Sequence, residues 1–393
     1  MENNKPYILW LPSWYPNKLR PYDGDFIQRH AKAVALYNRI EVLYIVRDEN
    51  GSITKNVQKD VIESEYLKET IVYYYISPKK IKIYEKALSF LKYVSIYKTL
   101  IKELFIKKGK PQLVKAYIAM KAGIIALWIL KKYKVPYVVA EQWSVYLSEA
   151  RPNLSDLPFY IRKVFEKIFK EAKEVMVVSQ YLGDQIKRDF HISNIFVVPN
   201  VVNVDLFKPS FLKKDNNRFI HISTLNYAKN AEDIIKSFAI LKSKGYSFHF
   251  DIIGPASPSL IRLIKENELE DSIFFLNEMP QSALVEYMNK AAALILYSRY
   301  ETFGCVLIEA NACGIPVIVS DIPVMHENVK ENFNGVFATG EDPYSLALKL
   351  TDFIDGKYRF DGEAIANFAK NEYNYKRIGY KISEWYKVNI REK

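Results

Sequence analysis

Short β-branched and aromatic runs alternate with longer helical patterns along this chain, and that alternation is the signature of parallel α/β architecture. In the first half the expected strands are Tyr7–Leu11, Ile40–Val46, Ile71–Ile76, Leu113–Ala116, Tyr137–Ala140, Val175–Val178 and Ile195–Val198. In the second half they are Phe219–Ile222, Phe248–Ile253, Ile273–Leu276, Ala293–Tyr297 and Pro316–Ser320. Runs such as VMVV, IFVV and ALILY are apolar at every position, as strands buried on both faces must be. The 393 residues suit two cores of about 150–200 residues each. The polar stretch Asn200–Arg218 is the expected linker. From Glu372 the sequence turns aromatic and amphipathic, too apolar on one face to hang free. Residues 1–203 and 204–371 are therefore expected as two domains, with 372–393 a helix packing back on the first. Two open parallel sheets place ligands at strand C-terminal ends, in the cleft between them.

Composition limits the function classes. Two cysteines, Cys305 and Cys313, build neither a disulfide framework nor a four-ligand zinc site, and a reducing, cytoplasmic setting is expected. The N-terminal apolar run is too short, and broken by Pro12, to serve as a signal peptide. The longest apolar stretch, Ala122 to Leu130, is too short to span a membrane.

Charge is unevenly placed. Residues 1–203 carry 33 Lys and Arg against 20 Asp and Glu, a net +13, whereas the remainder is net −2. The bias peaks between Lys79 and Lys110, where ten lysines face Glu85 and Glu103 and are interleaved with Tyr84, Phe90, Tyr93, Tyr97 and Phe105. A basic amphipathic segment with interfacial aromatics suits an anionic membrane surface; a solvated, lysine-rich helix face is the plainer alternative. No nucleic-acid-binding motif accompanies the charge, so nucleic acid is not expected as a partner.

The sharpest chemical signal is Ser298-Arg-Tyr-Glu-Thr-Phe-Gly-Cys-Val-Leu-Ile-Glu-Ala-Asn-Ala-Cys-Gly-Ile-Pro316, directly after the strand ALILY. It predicts a loop, a helix from about Thr302, and a stop at Gly314. A helix N-terminus after a buried strand presents free N–H groups and a positive dipole end to phosphate. Gly304 removes a Cβ where a diphosphate would approach. Glu309 shares the face of Thr302 and Cys305, where its carboxylate suits a ribose diol, and Glu301 can accept hydrogen bonds from sugar hydroxyls. Taken singly, either glutamate would be read as a helix-start charge or a solvated side chain. Lys229 precedes an amphipathic helix for which Asn230 is the expected N-cap.

The segment Glu301 to Glu309, followed by Ala310-Asn-Ala-Cys-Gly-Ile-Pro-Val-Ile, resembles the E-x7-E motif of the family-4 retaining glycosyltransferases, the glycosyl transferases of group 1. Val197-Val-Pro-Asn-Val-Val-Asn-Val-Asp-Leu-Phe207 is similar to that family's interdomain motif, and Thr224-Leu-Asn-Tyr-Ala-Lys-Asn230 to its phosphate motif. Trp14-Tyr-Pro and Gly24-Asp-Phe-Ile-Gln-Arg-His30 resemble its N-terminal glycine loop. The resemblance implies a GT-B fold, two Rossmann-like domains facing across a cleft. It implies a metal-independent retaining transferase that uses a nucleotide-diphosphate sugar, UDP- or GDP-linked, without further cofactor. It implies Lys229 and Glu301 at the chemistry. The donor would meet Gly24, Asp25, Asn200, Thr224, Lys229, Met279, Glu301, Thr302, Phe303, Gly304, Cys305 and Glu309, with Gln142 and Trp143 on the acceptor side.

Departures from the pattern matter as well. Thr224 stands where the family has a phosphate-binding Arg, so one cation is missing unless Arg299 or another basic residue substitutes. In Glu141-Gln-Trp-Ser-Val-Tyr146, Gln142 replaces a His and cannot titrate. Asp23-Gly-Asp25 is formally a D-x-D, but it sits far from the phosphate motif and no metal is expected on it. The five histidines share no ligand spacing. The acceptor is expected to be a lipid-linked saccharide in cell-surface glycan synthesis, reached by a peripheral protein. A nucleotide-sugar epimerase on the same fold and a catalytically silent glycan- or membrane-binding protein are the alternatives.

Overall fold

The structure, a computed structural model, describes residues 5–210 and 215–391. Residues 211–214 of the expected linker lie outside the described residues. Strands β1 (Tyr7–Pro12), β2 (Arg39–Arg47), β3 (Val57–Glu63), β4 (Leu67–Tyr74), β5 (Leu113–Tyr117), β6 (Tyr137–Glu141), β7 (Val175–Val177) and β8 (Ile195–Val197) form one sheet, in the order β3-β4-β2-β1-β5-β6-β7-β8. Strands β9 (Arg218–Ile222), β10 (His249–Ile253), β11 (Ile273–Leu276), β12 (Ala293–Leu296), β13 (Val317–Ser320) and β14 (Gly335–Ala338) form the second, in the order β11-β10-β9-β12-β13-β14. Every pairing is parallel except β3 with β4. The second order is the doubly wound 3-2-1-4-5-6 arrangement. Its switch point lies between β9 and β12, and that of the first sheet between β1 and β5.

In the first domain the helices are α1 (Asp25–Ala35), α2 (Lys82–Lys108), α3 (Ala119–Tyr133), α4 (Phe159–Glu171) and α5 (Gln180–Phe190). The second carries α6 (Ala231–Ser243), α7 (Pro258–Glu266), α8 (Gln281–Lys290), α9 (Cys305–Ala312), α10 (Pro343–Ile354) and α11 (Gly362–Tyr373), and α12 (Tyr375–Arg391) ends the described chain. One face of the first sheet, with Ile8, Trp10 and Val42, packs on α1 and on Ile378, Ile382, Trp385 and Tyr386 of α12. The last helix of the sequence thus completes a core begun by the first strand. Each aliphatic side chain so buried contributes about 1.5–3 kcal/mol. A second core joins the other face of the first sheet to α9 and to Leu294 and Leu296 of the second sheet, so the domains share apolar contacts.

Several expectations need correction. Strand β3 carries alternating polar residues and lies exposed at the edge, so it has no buried apolar run to announce it. The strand expected at Ile71–Ile76 begins earlier, at Leu67, and ends at Tyr74, its register set by pairing with β2. Strand β14 is only four residues long and was not expected. Tyr93, Tyr97 and Phe105 of α2 are buried in the core, so they cannot serve as interfacial aromatics. The exposed apolar residues are Ile81, Ile83, Tyr84, Phe90 and Leu91 around its start, and Ile106 near its end. Among the described residues, no helix is long and apolar enough to cross a membrane.

Candidate active site

A cavity of about 850 Å³ opens between the C-terminal edges of the two sheets. From the first domain it receives the loop after β1, with Trp14, Arg20 and Gly24, and the segment after β6, with Gln142 and Trp143. From the second it receives Thr224 and Lys229 after β9, and Glu301 to Val306 after β12. Both sets sit at the switch points, where adjacent loops diverge and leave a crevice.

The floor is the start of α9. Its helix begins at Cys305 rather than Thr302, because Gly304 sits at φ 85 and caps it. A Cβ at Gly304 would stand 2.9 Å from Leu296 Cδ2 and displace that side chain on β12, and the positive φ itself strains any other residue, so the backbone favours glycine here whether or not a ligand approaches. Gly304, Cys305 and Val306 line the cavity, which sets the positive end of α9 against it. Burial raises the Cys305 thiol to about 12, so it stays protonated. Gly24, which caps α1 at φ 67, is likewise demanded by its own loop: a Cβ there would lie 2.7 Å from the Trp14 carbonyl carbon.

Lys229 and Glu301, the two residues expected at the chemistry, form an ion pair with each other, although 72 positions separate them. Ser298 donates its hydroxyl to the same carboxylate at 3.0 Å. Lys229 ends a one-turn 3-10 helix, Tyr227–Lys229, ahead of α6. Asn230 follows at φ 52 with no capping hydrogen bond from its side chain, so the expected side-chain N-cap is not formed. Beneath this pair, His221 Nδ1–H donates to the Ile295 carbonyl at 2.9 Å, and Nε2 accepts the Ser223 hydroxyl at 2.7 Å. Burial lowers His221 to about 4, so the ring is neutral and fixes the loop that bears Thr224.

Gln142, expected on the acceptor side, is tied to the interdomain segment through Asn200. Gln142 and Asn200 exchange two amide hydrogen bonds of 2.8 and 2.9 Å, and Asn200 Nδ2 also donates to Cys305 Sγ at 3.1 Å. Gln142 further donates to Tyr117 Oη at 2.6 Å. Trp143 stands edge-on to Trp14, ring centroids 6.2 Å apart, and both line the cavity. Glu141 holds this segment in place. Its fully buried carboxyl accepts the N–H groups of Ala119, Gln142 and Trp143 and the hydroxyl of Tyr146, while burial raises it to about 7.

Four expected residues lie elsewhere. Glu309 is buried behind the wall, its carboxylate 2.5 Å from the Arg29 guanidinium, and Asp25 pairs with the same guanidinium at 3.3 Å. Asp25 also accepts Gln281 Nε2, so Asp23 and Asp25 do not converge on one point: only Asp23 lines the cavity. Met279 packs against the core while its neighbour Glu278 lines the cavity, because the loop after β11 turns the methionine inward. Arg299 cannot replace the missing cation. It lies on the Tyr227 ring, donates to the Tyr227 carbonyl at 2.7 Å and pairs with Glu341 at 3.2 Å, outside the cavity. The second cation that does line the cavity is Arg20, from the loop after β1, a position no motif marks.

Comparison with known proteins agrees with this geometry. Residues 203–375 match the family described as Glycosyl transferases group 1, and residues 33–206 match Glycosyltransferase Family 4. The chain belongs to the group 1 glycosyltransferases. Among curated relatives, it is 31% identical over 212 residues to the O-antigen chain mannosyltransferase of Salmonella typhimurium, covering 51% of this chain and 58% of that protein. It is 24% identical over 184 residues to the N-acetyl-alpha-D-glucosaminyl L-malate synthase of Bacillus anthracis, covering 46% and 44%. The chain thus spans about half the length of these relatives. The sucrose-phosphate synthase of Thermosynechococcus elongatus superposes with a TM-score of 0.80 at 17% identity, over 99% of this chain and 100% of that one. HepE of Anabaena, in complex with UDP, gives 0.70 at 16%, over 98% and 100%. Both establish a shared GT-B fold.

Proposed function

We propose that this chain transfers a sugar from a nucleotide-diphosphate donor to a saccharide acceptor, with retention at the anomeric carbon and without a metal. The observation that carries the reading is the cavity between the domains, floored by the positive end of α9 and flanked by Lys229 and Glu301. The donor diphosphate would lie against Gly304–Val306, and Lys229 would turn from Glu301 toward it. Glu301, released, would accept hydroxyls of the sugar. The bond from the anomeric carbon to the diphosphate oxygen breaks, the acceptor oxygen bonds on the same face, and its proton passes to the leaving diphosphate. Lys229 and the first N–H groups of α9 stabilise the charge that develops there.

The relatives support a polysaccharide acceptor: besides the O-antigen enzyme, they include an amylovoran biosynthesis glycosyltransferase of Erwinia amylovora. The basic, apolar-studded start of α2 supports a peripheral encounter with the cytoplasmic leaflet, where a lipid-linked acceptor would be presented. None of these comparisons supports an epimerase.

A thermal-shift panel of nucleotide-diphosphate sugars tests the reading, since ligand at 100 times its dissociation constant adds about 2.7 kcal/mol of stability. A bound donor should also be hydrolysed slowly in EDTA without acceptor. No shift with any donor would sink the proposal, and binding without hydrolysis or transfer would favour the silent-binder alternative.

A further inference from the structure

A second cavity, about 740 Å³, adjoins the first and shares Trp14, Leu19, Arg20 and Asp23 with it. It lies at the C-terminal ends of β1 and β2, between the starts of α2 and α3. Arg20, Arg47, Lys86 and Lys121 line it, against Asp23, Asp48 and Glu49. Two of these charges are already engaged. Arg47 pairs with Glu85 at 2.5 Å. Asp48 accepts the N–H groups of Ser52, Ile53 and Thr54, which hold its carboxyl down at about 2.

Arg20, Lys86 and Lys121 remain: among the described residues none of their side chains forms a hydrogen bond or a close ion pair, although Arg20 feels the charge of Asp23. Lys121 keeps an exposed surface, but desolvation by the cavity walls lowers its pKa, and the nearby charges of Arg20 and Arg47 lower it further, with Glu49 opposing. Asp23 and Glu49 offset part of this charge, but neither forms an ion pair with the three cations, and an anion placed among the cations relieves their mutual repulsion. Met120 and Lys121, in the first turn of the 15-residue α3, also line the space, so its positive end adds to the field.

We propose that this cavity is the acceptor's anionic subsite, holding a phosphate or diphosphate ester through Arg20, Lys86 and Lys121 while the acceptor hydroxyl reaches past Trp14 into the donor cavity. This rests on the transferase reading above. The rim indicates how a lipid would be recognised. Ile83, Lys86 and Phe90 fall at i, i+3 and i+7 of α2, on one helix face, with Ile83 78% and Phe90 40% exposed. A prenyl chain on the ester would run along Ile83 and Phe90; a soluble sugar phosphate would ignore them.

Calorimetric titration of the full chain with farnesyl diphosphate and with inorganic pyrophosphate tests this. Lys86→Gln/Lys121→Gln should weaken both probes at least tenfold yet leave the thermal shift by nucleotide sugars intact, while Lys229→Ala should change probe affinity less than twofold. Probe binding that survives the double substitution, or that is lost in Lys229→Ala, would place the anion in the donor cavity and overturn the proposal. Absence of binding by the parent would do the same. If the site is sound, Ile83→Asp separates the sources: weakening of farnesyl diphosphate alone assigns a lipid, and no effect assigns a soluble ester. Should no nucleotide sugar shift the parent's unfolding, the transferase reading and the acceptor role fall together, while the probe titrations still report whether the anion site exists.

Discussion

The guanidinium of Arg29 in α1 and the carboxylate of Glu309 in α9 meet at 2.5 Å across the junction of the two domains, with side chains only 6% and 4% exposed. Arg29 also donates to the Val201 carbonyl in the segment between the two sheets. Burial pushes the Glu309 carboxyl up to about 7, and Arg29 pulls against that rise. Arg29→Met would strand a buried carboxylate, and removing one partner of such a pair costs about 3–5 kcal/mol. The loss should be larger at pH 8 than at pH 5, because at low pH Glu309 takes up a proton and needs no cation. Urea unfolding at the two pH values checks this; equal losses would contradict it.

Lys229→Ala should lower transfer by on the order of 10²–10³, the usual effect of removing one group that stabilises charge in the transition state. The fold should persist, because Glu301 keeps the Ser298 hydroxyl as a partner. Turnover within a few-fold of the parent, measured on a correctly folded variant, would take Lys229 out of the mechanism.

Lys115 in β5 is fully buried among Trp10, Tyr117, Trp385 and Tyr386, and its Nζ lies 3.7 Å from the Met176 sulfur, with no carboxylate paired to it among the described residues. Burial pushes its pKa well down despite the aromatic faces. The unfolded chain holds that proton up to about pH 10.4, so this group's contribution makes stability rise with pH between the folded and unfolded values. Lys115→Met should unfold at higher urea than the parent at pH 7, and its advantage should shrink toward pH 10. An advantage that grows with pH would refute the assignment.

Vesicle co-sedimentation checks the membrane encounter. Each lysine near an anionic surface is worth about 1 kcal/mol, and the attraction is screened as the Debye length falls from about 10 Å at 0.1 M salt to 3 Å at 1 M. Binding should require anionic lipid, fall with salt, and drop in Lys79→Glu/Lys80→Glu/Lys82→Glu. Lys108 is left unchanged because it pairs with Glu41. Equal recovery on neutral and anionic vesicles would argue against the encounter.

The buried strands could be read directly because burial on both faces leaves an unbroken apolar run, as in Leu294–Leu296 and Val317–Val319. β3 escaped because an exposed edge strand keeps polar residues. The residues at the cavity were legible where the chain itself brings them to a strand end: Thr224, Lys229, Gln142 and Glu301–Cys305 all line it. Side-chain direction was not legible. Glu309 shares a helix face with Cys305, yet whether that face meets a ligand or Arg29 is decided by an element 280 positions away. Met279 and Glu278 differ only in which way one loop turns, and Arg20 belongs to no motif.

Because Ile378, Ile382, Trp385 and Tyr386 close the core against α1 and β1, the first domain cannot finish folding while those residues are still inside the ribosome. More than 360 residues must be synthesised after β1 before that strand is covered on this face. A nascent chain whose residues from 378 onward had not yet left the ribosome would expose this apolar surface to chaperones and proteases, although both sheets were already outside.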